Sequence, residues 1–169
     1  MRKVLFMKGS ELRLIEYMEG SKKRFIIPVY QRNYDWKIEN CKQLYDDLIQ
    51  VIKNNSKTHF FGSIVSVYEP SGRNTEFLII DGQQRLTTMS LLFLALYNLL
   101  EEKIIISEDE SLKDQIYEDF LVDKYQPQEK RMKLKPIKND QKAFSKLFNS
   151  KDDYIKDSNL TINYSYFYE

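Results

Sequence analysis

The segment that most limits how this chain can fold is LTTMSLLFLALYNLL, residues 86–100. It is apolar on most faces of a helix, so a helix here must be surrounded by other elements. Its longest apolar run, Leu91 to Leu100, is interrupted by Tyr97 and Asn98 and falls short of the ~20 residues that span a bilayer. It is therefore a candidate core helix of a protein outside the membrane. Just before it, EFLII is rich in strand-forming residues, and the short polar block DGQQR joins the two. A strand that runs through a turn into a buried helix calls for a sheet packed on that helix. At 169 residues and 42% hydrophobic content the chain can bury one good core and little more.

Flanking elements follow from spacing. Ser10 can cap a short helix carrying Leu12, Ile15 and Met18, with Gly20 as its stop. The basic stretch SKKR leads to a strand at Phe25, Ile26 and Ile27, which Pro28 forces to an edge or an end. From about Glu39, the residues Cys41, Leu44, Tyr45, Leu48 and Ile52 mark one face of an amphipathic helix. FFGSIVSVY and EFLII flank EPSGRNT and read as a hairpin with a loop longer than two residues. Ser107 can start a helix with Leu112, Ile116, Phe120 and Leu121 inward. YQPQEKRMKLKP reads as an extended basic connector, and Asp140 begins a helix through Ala143, Phe144, Leu147 and Phe148. The aromatic end NLTINYSYFYE lacks a stop signal, so further chain is expected beyond it. The division expected is one main domain over 1–102 and an α-helical appendage over 103–169.

Charge and cysteine content bound the partners. Lys and Arg number 26 against 25 Asp and Glu, a formal charge of +1, so any nucleic-acid contact must be a local patch. The single cysteine, Cys41, excludes a disulfide framework and a cysteine-based zinc cluster, and fits a reducing compartment. With no signal-peptide pattern at the N-terminus, the cytoplasm is the expected location. Cys41 also lies on an apolar helix face, which argues against redox chemistry at an exposed thiol.

The DGQQR block admits two readings. Asp81 and Gln84 have the spacing of a capping box, and Gly82 permits an unusual φ, so the block can simply end a strand and start a helix. That leaves Gln83, Arg85, Thr87 and Thr88 unexplained. These add amide, guanidinium and hydroxyl donors to a helix N-terminus whose free N–H groups and dipole already favour an anion. There is no Walker loop. A second cluster, YQRNYDW, places Tyr30, Gln31 and Arg32 directly after a strand, where they could face the same site. Gly62 and Ser63 can form a bulge or let a ligand approach the backbone. His59, the only histidine, has no obvious partner.

IPVYQRNYDW, HFFGSIV and IIDGQQRLTTMSLL, in this order and spacing, resemble the N-terminal domain of GmrSD-type modification-dependent restriction enzymes, related to ParB and sulfiredoxin. The resemblance implies an α+β fold, a small mixed sheet with a buried central helix. It further implies a nucleoside-triphosphate site, with Mg2+, that drives or licenses DNA restriction. On that basis Asp81, Gln84 and Arg85 are candidates for catalysis as an NTPase, and Asp81 for the metal ion. The candidate nucleotide contacts are Tyr30, Gln31, Arg32, Gly62, Ser63, Gly82, Gln83, Arg85, Thr87 and Thr88. The expected partners are DNA, reached through the full-length protein or a partner, and an HNH nuclease domain or subunit that one histidine cannot build here. Homo-oligomerisation is left open and no membrane contact is expected. The alternative is a non-enzymatic, ParB-like DNA-binding or adaptor module in which SKKR and KRMKLKPIK touch phosphates.

Overall fold

The computed structural model describes residues 12–55, 61–72 and 74–169. The expected Ser10 cap and His59 lie outside them. The elements are α1 (Leu14–Met18), β1 (Lys23–Ile26), α2 (Ile38–Lys53), β2 (Val65–Ser71), β3 (Asn74–Asp81), α3 (Gln83–Glu101), α4 (Leu112–Ile116), β4 (Leu134–Lys135), α5 (Lys138–Lys146) and α6 (Asn159–Tyr168). The strands form one mixed sheet in the order β2-β3-β1-β4. β1 runs parallel to both β3 and β4, while β2 is antiparallel to β3. The architecture is α+β.

α3 is the core helix that its apolar faces demand. Leu86, Leu91 and Ala95 are fully buried, and one hydrophobic cluster joins α3 to the sheet and to the C-terminal helices. The sheet presents an aromatic group to that core: Phe25 of β1 stacks on Phe77 of β3 at 5.4 Å, and Tyr17 of α1 lies 5.2 Å from Phe25. Such pairs add ~0.5–1.5 kcal/mol beyond their area burial. α6 packs along α3, where Asn98 Nδ2 donates to the Tyr164 hydroxyl at 2.7 Å. Among the described residues no helix is long and apolar enough to cross a membrane.

Tertiary context decides several expectations. β1 has neighbours on both sides, so of the two placements that Pro28 allows, an edge or an end, the strand takes the end. The hairpin pairs as far as Ser71 opposite Asn74, a tighter connection than the loop of more than two residues expected. In α2 the core meets only the Cys41, Leu44 and Leu48 side, which leaves Tyr45 and Ile52 exposed. The basic stretch read as a connector contains β4, because the Phe25 and Ile27 N–H groups need the carbonyls of Lys133 and Lys135, at 2.7 and 3.0 Å. Residues after 102 therefore complete the sheet and cover α3. Ser111, not Ser107, occupies the N-cap of α4, which continues as a π turn over Tyr117–Leu121, and α5 starts at Lys138 rather than Asp140.

A lysine side chain is among the polar groups buried in this core. Lys133 is 1% exposed and its ammonium donates to the carbonyls of Gly20 and Asp119. Burial pulls its pKa down to about 8, against the opposing pull of Asp119 and Asp123. Between that value and the 10.5 of an unfolded lysine, the unfolded chain binds more protons than the folded one, so this group adds stability as pH rises. Urea midpoints of wild type and Lys133→Met, compared from pH 7.5 upward, isolate the effect from the other titrating groups. The wild type should gain on the variant as pH rises above about 8; a difference that stays constant would contradict the buried-ammonium account.

Candidate functional site

Because β1, β3 and β4 are parallel, the segments that leave their carboxyl ends share one end of the sheet. In open parallel sheets ligands settle in the crevice beyond those ends. β1 exits into the loop 27–37, β3 into Asp81, Gly82 and α3, and β4 into Pro136 and α5. Gly82 makes the strand-to-helix turn at φ 88°, a left-handed backbone that suits glycine. A Cβ there would lie 3.0 Å from both the Ile64 side chain and the Ser63 carbonyl oxygen, so the 62–64 loop closes directly over the turn. The Gly82 N–H donates to Asp81 Oδ1 at 2.8 Å, and the helix begins with the Leu86 N–H on the Gly82 carbonyl at 3.0 Å.

The capping box expected of Asp81 and Gln84 does not form. Gly82 is the N-cap, with no side-chain cap, and the Gln84 carboxamide turns away to hold the β1 exit loop. Its Oε1 accepts the N–H groups of Asp35 and Trp36 at 3.0 and 3.3 Å, and its Nε2 donates to the Asn33 carbonyl at 3.0 Å. The carboxamide, with both a donor and an acceptor, meets two N–H groups and a carbonyl of the YQRNYDW backbone at once. One turn on, Thr88 donates to the Gln84 carbonyl at 2.8 Å and meets the Tyr34 hydroxyl at 2.7 Å. Asn163 of α6 then donates to the Tyr34 hydroxyl at 2.9 Å and to the Trp36 carbonyl at 2.8 Å. Burial raises the Tyr34 phenol pKa well above its usual value and pushes the neighbouring Cys41 thiol up to about 11, so both stay neutral.

Helical periodicity divides the first turns of α3 three ways. Gln84 and Thr88 face the loop and are committed to protein partners, which makes them positioning residues; Thr88 is fully buried. Arg85 faces the other way and donates through Nη2 to the Ser63 carbonyl. Gly62 is required there, at φ 97°, because a Cβ would lie 2.7 Å from the Arg85 guanidinium. Gln83 and Thr87 face a cleft whose other walls include Arg32, Ile137 and Asp140. The Gln83 side-chain oxygen is buried without a partner, and the N–H groups of Gln83, Gln84 and Arg85 precede the first helical hydrogen bond.

The structure thus gathers Arg32, Gln83, Gln84 and Thr87 at one cleft and sets Gly62, Ser63 and Arg85 on the neighbouring side of the helix. Gln31 ties the loop to β3 through the Ile80 carbonyl at 2.8 Å. Arg32 pairs with Asp35 at 3.0 Å across exposed surface, and Tyr30 is 67% exposed. Asp81 is an exposed single carboxylate; among the described residues no group of three or more His, Cys, Asp or Glu is placed to hold a metal. Asp140, read from sequence only as a helix start, accepts the Tyr34 N–H at 2.7 Å and lines the cleft, where burial raises its pKa. Asn163 was also missed; its one signal was an amide inside an otherwise apolar terminal run.

The family model described as the GmrSD restriction endonuclease, N-terminal domain, matches residues 14–169. No curated protein matches the chain at a significant level.

The clamp and the capping box differ in cost. Losing a capping interaction costs ~1 kcal/mol, whereas Gln84→Ala would strand two N–H groups and one carbonyl, at ~1–3 kcal/mol for each that water cannot reach. Gln84→Ala should therefore lower stability by ~2–4 kcal/mol and shift the emission of Trp36, the only tryptophan, to longer wavelength. A loss near 1 kcal/mol with unchanged emission would return Gln84 to the capping role.

Proposed function

The chain belongs to the GmrSD restriction endonuclease N-terminal-domain family, and from that premise we propose that it is the nucleoside-triphosphate-binding domain of a modification-dependent DNA restriction protein used in phage defence. Nucleotide binding here would license a nuclease domain or subunit that supplies the histidine and metal chemistry. The observation that carries the reading is the cleft at the start of α3, where the Arg32 guanidinium lines the same opening as Gln83 and Thr87 of the first helical turns, beside N–H groups that precede the first helical hydrogen bond.

That combination suits phosphate oxygens. Helix N–H groups carry partial positive charge, and a guanidinium presents a planar fork that binds phosphate with charge-assisted hydrogen bonds. The cleft is narrow, so the phosphate chain rather than the whole nucleotide would enter it. The base would extend outward, and Tyr30, two residues from Arg32 and exposed, offers a ring on which it could stack. Magnesium brought with the triphosphate needs few protein ligands and commonly uses one or two carboxylates with the phosphates, a demand Asp81 meets with an oxygen not used by Gly82. Hydrolysis would require only a positioned water and stabilised charge, with Asp81 to orient the water; Arg85, held on the Ser63 carbonyl at the neighbouring side of the helix, would have to leave that partner to reach the phosphates. Gln84 would act by holding Arg32 and its loop in place.

Arg32→Ala is the discriminating variant, because the one ion pair Arg32 makes among the described residues is an exposed one worth ~0–1 kcal/mol. Wild type should gain about 2.7 kcal/mol of stability from triphosphate and Mg2+ at a hundredfold excess over the dissociation constant, read as a rise in melting temperature. Arg32→Ala should melt normally without ligand and lose that rise. No shift with any of the four ribonucleotides, or an equal shift in Arg32→Ala, would overturn the assignment.

A further inference from the structure

A second cleft opens at the other end of the sheet, where β1 and β3 begin. It is open to solvent, and its walls include Lys22, Arg24 and Lys130, the acids Glu76 and Asp123, and the amides of Asn74 and Gln126. Lys22 and Arg24 come from the SKKR stretch and Lys130 from the basic stretch more than a hundred residues later, so the fold has brought two separate basic segments around one opening. We infer that this cleft is a phosphate-binding site for the backbone of a nucleic acid, independent of the nucleotide cleft.

Four cationic side chains, those of Lys22, Lys23, Arg24 and Lys130, line the cleft against the two carboxylates of Glu76 and Asp123, which leaves it net positive. Asp123 is occupied by backbone, taking the Lys22 N–H on Oδ2 at 3.0 Å and the Tyr125 N–H on Oδ1 at 3.1 Å. Glu76 lies 3.7 Å from Arg24 Nη1, while Arg24 Nη2 donates to the Glu129 carbonyl at 3.2 Å. The neighbouring Lys23 ammonium is spent on the carbonyls of Glu16 and Tyr17 at 3.0 and 3.2 Å. That leaves the ammonium groups of Lys22 and Lys130 with no partner among the described residues, both on exposed side chains facing one opening. Arg24 Nε is buried and unpaired, a donor held in place behind them.

The supporting frame is rigid. Lys22 adopts φ 65°, unusual for a residue other than glycine, and is pinned there from both sides, its N–H on Asp123 and its carbonyl accepting the Thr75 N–H at 2.8 Å. Asn74 and Gln126 bind each other through both amides, at 3.0 and 2.9 Å; Gln126 Nε2 also donates to Asp123 Oδ2 at 3.4 Å, and the Asn74 NH2 keeps a second hydrogen to offer. Point charges on exposed lysines beside fixed amide donors suit a solvated, repeating phosphate chain better than an enclosed single anion, and phosphate contacts of this kind position a protein without reading sequence. The cleft lies at the amino ends of β1 and β3 and the nucleotide cleft at their carboxyl ends, ~13 Å apart along the four residues of β1. Both ligands could bind at once.

The test is fluorescence anisotropy of a labelled DNA duplex and a labelled RNA hairpin with wild type and with the double variant Lys22→Asn and Lys130→Gln. Asparagine tolerates the left-handed backbone at position 22, and both sites are exposed, so melting should be unchanged. Wild type should bind at low salt with log K falling as log salt rises; the variant should bind at least tenfold more weakly, its duplex slope reduced by ~1.8, or ~0.9 for each lost phosphate contact. Arg32→Ala, in the other cleft, should bind the polymer like wild type, which separates failure here from failure of the nucleotide assignment. Dependence on the two lysines with either polymer supports the inference and tells which one is preferred. Equal binding by the double variant, absence of binding by wild type, or stabilisation by inorganic phosphate alone with no polymer binding would overturn it.

Discussion

The Gln84 carboxamide is the interaction on which the rest of the site depends. It is buried at the start of α3 and bonded to three backbone groups of the loop that leaves β1, a segment about 50 residues away in sequence. Each such bond contributes only ~0.5–1.5 kcal/mol net, but a stranded buried partner costs more, so the loop has one well-satisfied position. With the loop held, Tyr34 is driven inward, where its hydroxyl receives Asn163 from 129 residues away and meets Thr88 on α3. Asp140 of α5 closes the arrangement by accepting the Tyr34 N–H. Chains of this kind in a low-dielectric interior are stable when fully satisfied and costly when broken, which ties the positions of Arg32 and the α3 N-terminus to each other.

Topology then decides what each end of the sheet can do. Three parallel strands deliver three loops to one end, where a helix N-terminus, a guanidinium and a glycine-bearing loop converge. At the other end the strands begin, and lysines from two distant segments meet around carboxylates already used by the backbone and by Arg24. A formal charge of +1 over the whole chain hides this separation, because the anion-attracting groups are local and offset elsewhere by acids. The short β4 makes the division possible: its two residues give Phe25 and Ile27 their hydrogen-bond partners and carry Pro136 and Asp140 to the site.

What could be read from sequence follows from how local each signal is. α3 was legible because an apolar helix on most faces has one physical outcome, and Cys41 because a small apolar residue beside Leu44 and Leu48 belongs inside. The polar block 81–85 stood out because its donors exceeded what a helix start needs. The partner of Gln84 was not legible, since a capping-box spacing and a long-range clamp look the same in one dimension. Asp140 and Asn163 were missed for the same reason: each meets Tyr34 across more than a hundred residues. β4 was hidden because two residues carry no periodicity, and Tyr45 and Ile52 were placed inward because spacing marks a face without telling how far the core reaches along it.

Amide hydrogen exchange at the first turn of α3 tests the central claim most directly, that a clamped loop and an unpaired helix start form an anion site. With triphosphate and Mg2+ added, the N–H groups of Gln83, Gln84 and Arg85, which precede the first helical hydrogen bond, should exchange more slowly, while those of Asp35 and Trp36, already held by Gln84, should be slow with or without ligand. Fast exchange at Asp35 and Trp36 in the free protein, or no slowing at residues 83–85 on adding nucleotide, would contradict it.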